Sequence, residues 1–133
     1  MDFGTEVPGY TEFVRWCMGW PSFHDSEIVR LELNRSSASK LVVHVLGGPK
    51  PTIGPRANPN YSSPPSDVVV TFLLEDIDDL ELGGFSHQNV IFDLRLEPRD
   101  GLFHFHLDPC YGLAGTIAFR KVSIEFSPGK PAD

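Results

Sequence analysis

Alternation between apolar and polar residues is the feature that most constrains how this chain can fold. From Glu27 to Arg35, the side chains of Val29, Leu31 and Leu33 are predicted to point to one face, with polar residues between them. A period of two is typical of a half-buried β-strand with one wet face. The same alternation returns in Lys40–Leu46, in Leu102–Leu107 and in Asn89–Leu96, where Val90, Phe92, Leu94 and Leu96 are predicted to face inward.

Three further segments complete the predicted strands. Asp67–Glu75 is apolar on both sides, which predicts a central strand buried on both faces. Acidic residues come after this central strand, and a short strand around residues 80–82 is expected to follow them. In the last strand, Gly115–Phe126, the apolar set changes phase near Arg120–Lys121, so a β-bulge is predicted there.

One helix is predicted, at the start of the chain. In the segment 10–18, Phe13, Trp16 and Cys17 recur at spacings of three and four and share one helical face. Thr11 is the expected cap at its N-terminal end. Short connections between successive strands favour an antiparallel meander. The fold class is therefore predicted to be α+β and mostly β, a curved sheet or partial barrel of about seven strands with one N-terminal helix.

The chain is expected to form a single domain over residues 1–133, a common domain size. Residues 47–66 interrupt the strand pattern with many prolines and glycines, which a strand interior does not tolerate. This segment is predicted to be a long exposed loop. Residues 127–133 are predicted to be a frayed polar tail.

Charge and composition restrict the function. The chain carries 18 acidic and 11 basic residues, for a formal net charge of -7, which argues against a nucleic-acid partner and is compatible with a basic protein partner. No apolar run approaches the roughly 20 residues that span a bilayer, and the first residues are polar and acidic. The cytoplasm is the expected compartment. Cys17 and Cys110 form no Cys-x-x-Cys pair, and neither a disulfide nor a cofactor is predicted.

One strand carries side chains that could bind a metal. His104, His106 and Asp108 alternate with apolar residues, so all three share one face of the strand. Two imidazoles and a carboxylate at this spacing can bind zinc or iron in a β-barrel enzyme. The further ligands would have to come from His24, Asp25, His44 or His87, which no spacing ties to this strand. The favoured interpretation is a polar stripe that faces solvent.

The segment His24-Asp25-Ser26-Glu27 is the second candidate site. A histidine beside carboxylates could act as a general base, but no serine or cysteine is placed by spacing as its nucleophile. A turn before the first strand, with Asp25 or Ser26 bound to local backbone amides, is the favoured interpretation. No catalytic residue is predicted, and the chain is expected not to be an enzyme.

An acidic run is the third candidate site. Its five carboxylates are Glu75, Asp76, Asp78, Asp79 and Glu81. The spacing lacks the central glycine and the final glutamate of a calcium-binding loop. The run is predicted to be either a solvated acidic edge or a docking surface for a basic partner.

Two stretches of the chain resemble motifs of small bacterial immunity proteins. Residues 20–28, Trp-Pro-Ser-Phe-His-Asp-Ser-Glu-Ile, are similar to the motif W-x-x-F-H-D-x-E-[IV]. Residues 85–91, Phe-Ser-His-Gln-Asn-Val-Ile, follow an acidic segment and are similar to F-x-x-Q-N-V-I. Over residues 13–126 the chain resembles the immunity protein fifty family of polymorphic-toxin systems.

The resemblance implies a bacterial, non-enzymatic protein that binds a cognate toxin domain and blocks its active site. The acidic run is then a candidate toxin-facing surface, which would imitate an anionic substrate if the toxin is a nuclease. The motif residues are expected either to contact the partner or to form a structural network; they are Trp20, Phe23, His24, Asp25, Glu27, Gln88 and Asn89. Two alternatives stay open: a metal-dependent β-barrel enzyme, and a structural or oligomerising β-domain.

Overall fold

The computed structural model of the protein describes residues 3–46, 50–51 and 67–131. These residues form the helices α1 (Phe3–Glu6) and α2 (Tyr10–Cys17). They also form eight strands: β1 (Pro21–Ser22), β2 (Glu27–Glu32), β3 (Ser39–Val45), β4 (Lys50–Pro51), β5 (Val68–Gly83), β6 (Val90–Arg99), β7 (Leu102–Tyr111) and β8 (Ala114–Pro128). The predicted loop 47–66 lies outside the described residues apart from β4, which pairs with β1.

Six of these strands form a closed antiparallel barrel in the order β2-β3-β5-β8-β7-β6. The barrel consists of two three-stranded meanders, β2-β3-β5 and β6-β7-β8, which are joined where β5 pairs with β8. The second junction, between β2 and β6, has the single registered pair Glu27 and Val90. The prediction of a mostly β, antiparallel fold is confirmed, and the curved sheet closes on itself.

Aromatic rings fill the interior of the barrel. Phe72, Phe105 and Phe119 are fully buried, and Phe72 meets Phe105 edge to face at a centroid distance of 4.9 Å. Phe23 continues this line of rings from Phe72 towards the helices. Removing each such ring from water contributes about 1.5–3 kcal/mol to folding, so these rings form the main apolar core.

Helix α2 packs against the C-terminal half of β8. Its residues Phe13 and Cys17 are buried as predicted, and Phe13 lies 5.3 Å from the ring of Phe126. The prediction that Thr11 caps α2 is wrong, because the N-cap residue is Gly9 with φ at 88° and no side-chain cap bond. The short helix α1 was not predicted. Neither described helix has the length and apolar run that crossing a membrane requires.

Bulges change part of the inward face predicted for two strands. In β2 the register shifts between Ile28 and Arg30, so Ile28 is buried in place of Val29, and Leu31 packs against the core as predicted. Leu33 follows the end of β2 and is 49% exposed. In β6 the register shifts twice between Val90 and Asp93; Ile91 is buried and Phe92 is 54% exposed, opposite to the prediction. Each extra residue moves the following side chains to the other face, which simple alternation cannot anticipate.

Strand β5 is longer than predicted. It continues through the acidic run to Gly83, although a break before a short strand was expected. Its first half is buried on one face only, because Val69 and Leu73 are half-buried rather than buried. The inward face of β8 changes phase at Arg120–Lys121 as predicted, but the register with β5 is continuous there, and the shift lies between Ile77 and Asp79 on β5. The predicted tail begins too early, since Ser127 and Pro128 still belong to β8.

Candidate functional site

Among the residues that the structure describes, the stagger of the barrel strands leaves one half of β5 with a single neighbouring strand. Strand β3 pairs with β5 only from Val68 to Leu74. From Glu75 to Gly83, β5 pairs with β8 on one side, and no described strand pairs with its other side. We call the side of β5 from Glu75 to Gly83 the acidic edge. An edge of this kind presents backbone N–H and C=O groups that a further strand can bind.

An open cleft of about 710 Å³ lies between the acidic edge and the β2–β3 turn. Glu75, Asp76 and Asp78 line it from β5, and Arg35 and Arg120 line it from its other walls. We call it the acidic cleft. Its remaining lining residues are Leu33, Asn34, Ser36, Ser37, Ala38, Ser39, Leu74, Ile77 and Leu80.

The β2–β3 turn that forms one wall is held by its own hydrogen bonds. The backbone N–H of Asn34 donates to Oγ of Ser39 at 2.9 Å, and the Ser39 hydroxyl donates to the Asn34 carbonyl at 3.3 Å. The Asn34 side chain donates to Glu32 at 2.9 Å and to the Ala38 carbonyl at 3.0 Å. The hydrogen bond from Asn34 lowers the pKa of the Glu32 carboxyl, and Arg30 pairs with the same carboxyl at 3.3 Å.

The carboxylates of the cleft are weakly paired within the protein. Arg120 reaches Asp78 at 3.9 Å, with both side chains at least half exposed, and such a pair contributes about 0–1 kcal/mol. Asp76 has a φ of 57°, a left-handed conformation that marks the kink in β5. Asp79 and Glu81, predicted to share the binding surface, do not line the cleft. The structure therefore brings three of the five predicted carboxylates into one concave site.

Exposed apolar side chains accompany these charges. Leu33 is 49% exposed and Leu80 is 38% exposed, and both line the cleft. A lysine or arginine side chain has an apolar stem and a charged end, so it matches a site in which leucines stand beside carboxylates. Sequence reasoning missed the part played by Leu33 and Arg120, because only the barrel brings the β2–β3 turn and β8 to the acidic run.

The residues of the two immunity-like motifs lie on either side of the β2–β6 junction. Asn89 is buried, and its Oδ1 accepts from the backbone N–H groups of Ser86 and Leu113, both at 3.0 Å. The carbonyl of Asn89 accepts from the N–H of Ile28 at 2.8 Å. Glu27 contributes the registered pair at this junction, and Gln88 is exposed.

The aromatic motif residues lie beneath this junction. Trp20 stacks on Tyr10 at a centroid distance of 5.5 Å and meets Phe23 at 5.6 Å, and Phe23 is buried. His24 and Asp25 are exposed, with Nδ1 of His24 3.2 Å from Oδ2 of Asp25. Four of the seven motif residues therefore take part in packing, strand pairing or buried hydrogen bonds, while His24, Asp25 and Gln88 are exposed.

The predicted histidine stripe on β7 does not gather a set of metal ligands. His104 and His106 share the outer face with Asp108 as expected, and their rings lie 6.4 Å apart. Nε2 of His106 faces Glu97 at 3.5 Å. Within the described residues, the one group of three ligand side chains that converges is His24, Asp25 and Cys110. Of the other proposed ligands, His44 pairs with Asp67 at 2.9 Å and His87 is exposed.

Three comparisons complete the description of the chain. Neither protein-family models nor curated proteins nor solved structures gave a match.

Proposed function

We propose that this protein binds a basic segment of a partner protein in the acidic cleft, and that it neutralises a bacterial toxin domain in this way. One observation carries the proposal: Glu75, Asp76 and Asp78 meet exposed leucines beside a strand edge with which no described strand pairs. The two motifs of residues 20–28 and 85–91 supply the kind of partner.

The acidic cleft offers three kinds of contact to such a segment. Carboxylates attract lysine and arginine side chains, which speeds association with a basic partner more than it raises the final affinity. Leu33 and Leu80 contact the apolar stems of those side chains. An extended segment can also pair its backbone with the acidic edge, the mode known as strand addition. A basic, extended segment uses all three.

Replacing the carboxylates tests the proposal. The variant Glu75→Lys, Asp76→Asn, Asp78→Lys removes all three carboxylates of the cleft and keeps a residue that tolerates positive φ at position 76. We expect it to bind the toxin domain encoded beside its gene at least about tenfold more weakly, with slower association and a weaker dependence on salt. Surface plasmon resonance at several salt concentrations measures all three quantities, and survival of cells that express the toxin measures protection.

A matched control variant distinguishes the effect of the cleft carboxylates on binding from the effect of the net charge. Glu6→Gln, Glu12→Lys, Glu125→Lys changes the net charge by the same amount at exposed positions that do not line the cleft. We expect it to bind within about threefold of the unchanged protein, since distant surface charges are largely screened. Equal weakening by both variants, or unchanged binding by the cleft variant, would show that the partner does not use the cleft.

A further inference from the structure

A second cluster of functional side chains lies on the outer surface at the β2–β6 junction. His24 and Asp25 stand in the turn before β2, and Cys110 stands near the end of β7. One ligand atom from each residue lies within 4.8 Å of the other two, and all three side chains are exposed. Residues 24 and 110 are far apart in sequence, so the closure of the barrel creates this group.

A single backbone carbonyl positions both halves of the cluster. The carbonyl of Ile91 accepts the N–H of Asp25 at 2.9 Å and faces the Cys110 thiol at 3.8 Å. Asp25 adopts a left-handed φ of 68°, and the neighbouring Ser26 is buried and accepts the N–H of Ile91 at 2.8 Å. Two backbone hydrogen bonds, from Asp25 to Ile91 and from Ile91 to Ser26, therefore fix the turn to β6.

The ring of His24 is oriented by Phe92, a residue that the alternation in the sequence predicts to face inward. Phe92, turned outward by the β6 bulges, meets the His24 ring edge to face at a centroid distance of 5.3 Å. The backbone N–H of His24 donates to Oγ of Ser22 at 3.3 Å. The ring can therefore present a nitrogen to Asp25 and Cys110 without rearrangement of the backbone.

Imidazole, carboxylate and thiolate together form a donor set that zinc prefers. In a tetrahedral zinc site with bonds of about 2.0–2.3 Å, neighbouring ligand atoms are about 3.3–3.6 Å apart. Exposed side chains can close the remaining distance of roughly an ångström by small rotations about their side-chain bonds. We propose that His24, Asp25 and Cys110 bind Zn²⁺ with one coordination position left to water.

Metal binding at this place would fasten the weakest junction of the barrel. The β2–β6 junction has one registered pair, whereas β5 and β8 pair along most of their length. Zinc would link the start of β2 to the end of β7 across β6, and binding would release the proton of the Cys110 thiol to solvent. Because the metal binds the folded chain, thermal stability rises with the concentration of free Zn²⁺.

Cobalt provides a spectroscopic test on the purified full chain. After removal of metal with a chelator, Co²⁺ should bind at one equivalent and give a thiolate-to-cobalt charge-transfer band that Zn²⁺ abolishes by displacement. Cys110→Ser should lose the band, and His24→Gln and Asp25→Asn should bind Zn²⁺ at least about 100-fold more weakly. The asparagine tolerates the positive φ of position 25. Zinc should raise the melting temperature of the unchanged chain and of none of the three variants.

The double variant His104→Gln, His106→Gln is the control, since its histidines lie on the same strand outside the cluster. It should bind Zn²⁺ as the unchanged chain does. A charge-transfer band that persists in Cys110→Ser, or equal affinity in all variants, would overturn the proposal. Circular dichroism without metal confirms that each variant is folded, and none of these measurements involves a partner protein.

Discussion

Within the described residues, the β5–β8 ribbon has two edges that lack a neighbouring barrel strand, and the two edges are protected in different ways. On β8, the edge at Val122–Phe126 is covered: the N–H of Ile124 donates to the Pro8 carbonyl at 2.8 Å, and Gly9 packs on the Ile124 carbonyl. We call this the covered edge, and we call residues 3–20, which include both helices, the cover. On β5, no described segment pairs with the acidic edge, which carries carboxylates and a bulge instead.

The difference indicates which edge is open to another chain. Proteins protect strand edges either by covering them or by placing charges and bulges on them. A covered edge is closed to every partner, whereas a charged edge rejects copies of itself and still accepts a segment of opposite charge. The covered edge of β8 therefore has a structural role, and the acidic edge of β5 is the proposed binding edge.

Removal of the aromatic anchor of the cover should have the largest effect. Phe13 is fully buried and contacts Phe126 and Trp20. We expect Phe13→Ala to lower the free energy of unfolding by about 3–5 kcal/mol, because it leaves a cavity beneath α2. Urea unfolding measures the loss. The control Phe92→Ala, at an exposed ring, should cost about 0.5 kcal/mol or less. Similar losses in the two variants would contradict the assignment of α2 as an essential cover.

Glycine substitutions should measure how closely the cover fits. A Cβ on Gly9 would lie 1.9 Å from the Ile124 carbonyl oxygen, and its φ is 88°. Gly9→Ala should therefore cost about 1–2 kcal/mol for the left-handed backbone and about 1–3 kcal/mol for the steric overlap.

Two glycines without close neighbours allow the cost of the left-handed backbone and the cost of the steric overlap to be measured separately. Gly101 also has a positive φ but no atom within 4 Å of a Cβ, so Gly101→Ala should show the backbone cost alone. Gly83 has neither constraint and should be nearly neutral. The free energies of unfolding from urea titrations should follow this order. Equal losses at Gly9 and Gly101 would mean that the cover does not press on β8.

The smallest effect on stability is expected at the acidic edge. Asp78→Thr, Asp79→Thr removes charge from exposed positions, so the free energy of unfolding should change by no more than about 0.5 kcal/mol. Self-association should nevertheless increase, because threonine favours strand pairing and the repulsion between copies is lost. Sedimentation velocity over a range of concentrations measures the association. Asp108→Thr, Glu125→Thr removes the same charge elsewhere and should stay as dispersed as the unchanged chain.

The sequence predicted local structure where one periodicity governed a segment. The helix at 10–18 and the alternation of Leu102–Leu107 followed from spacing alone, and the structure confirms both, with Phe103, Phe105 and Leu107 buried. The predicted inward faces of β2 and β6 were wrong at Val29 and Phe92, because bulges depend on how a strand fits its neighbours in the closed barrel. Local propensity carries no information about that fit.

The candidate sites were predictable in part. The acidic run was found from its charges, but its cleft requires a turn that is remote in sequence and a kink at Asp76. His24 and Asp25 drew notice as neighbours, yet Cys110 was not linked to them, since no spacing connects residues so far apart. The alternative of a metal site at His104, His106 and Asp108 was based on a shared face, and a shared face does not bring a further ligand close.

Both tryptophans of the chain lie in the cover rather than in the barrel. Trp16 packs on Phe126 at 5.7 Å, and Trp20 packs on Tyr10 and Phe13. Intrinsic fluorescence therefore reports the docking of the helices, whereas far-ultraviolet circular dichroism mainly reports the strands. We expect the fluorescence transition in urea to precede the dichroism transition if the cover detaches first, and coincident curves would show that cover and barrel unfold as one unit. The two tryptophans are thus an intrinsic fluorescence probe of the docking of the helices on the barrel.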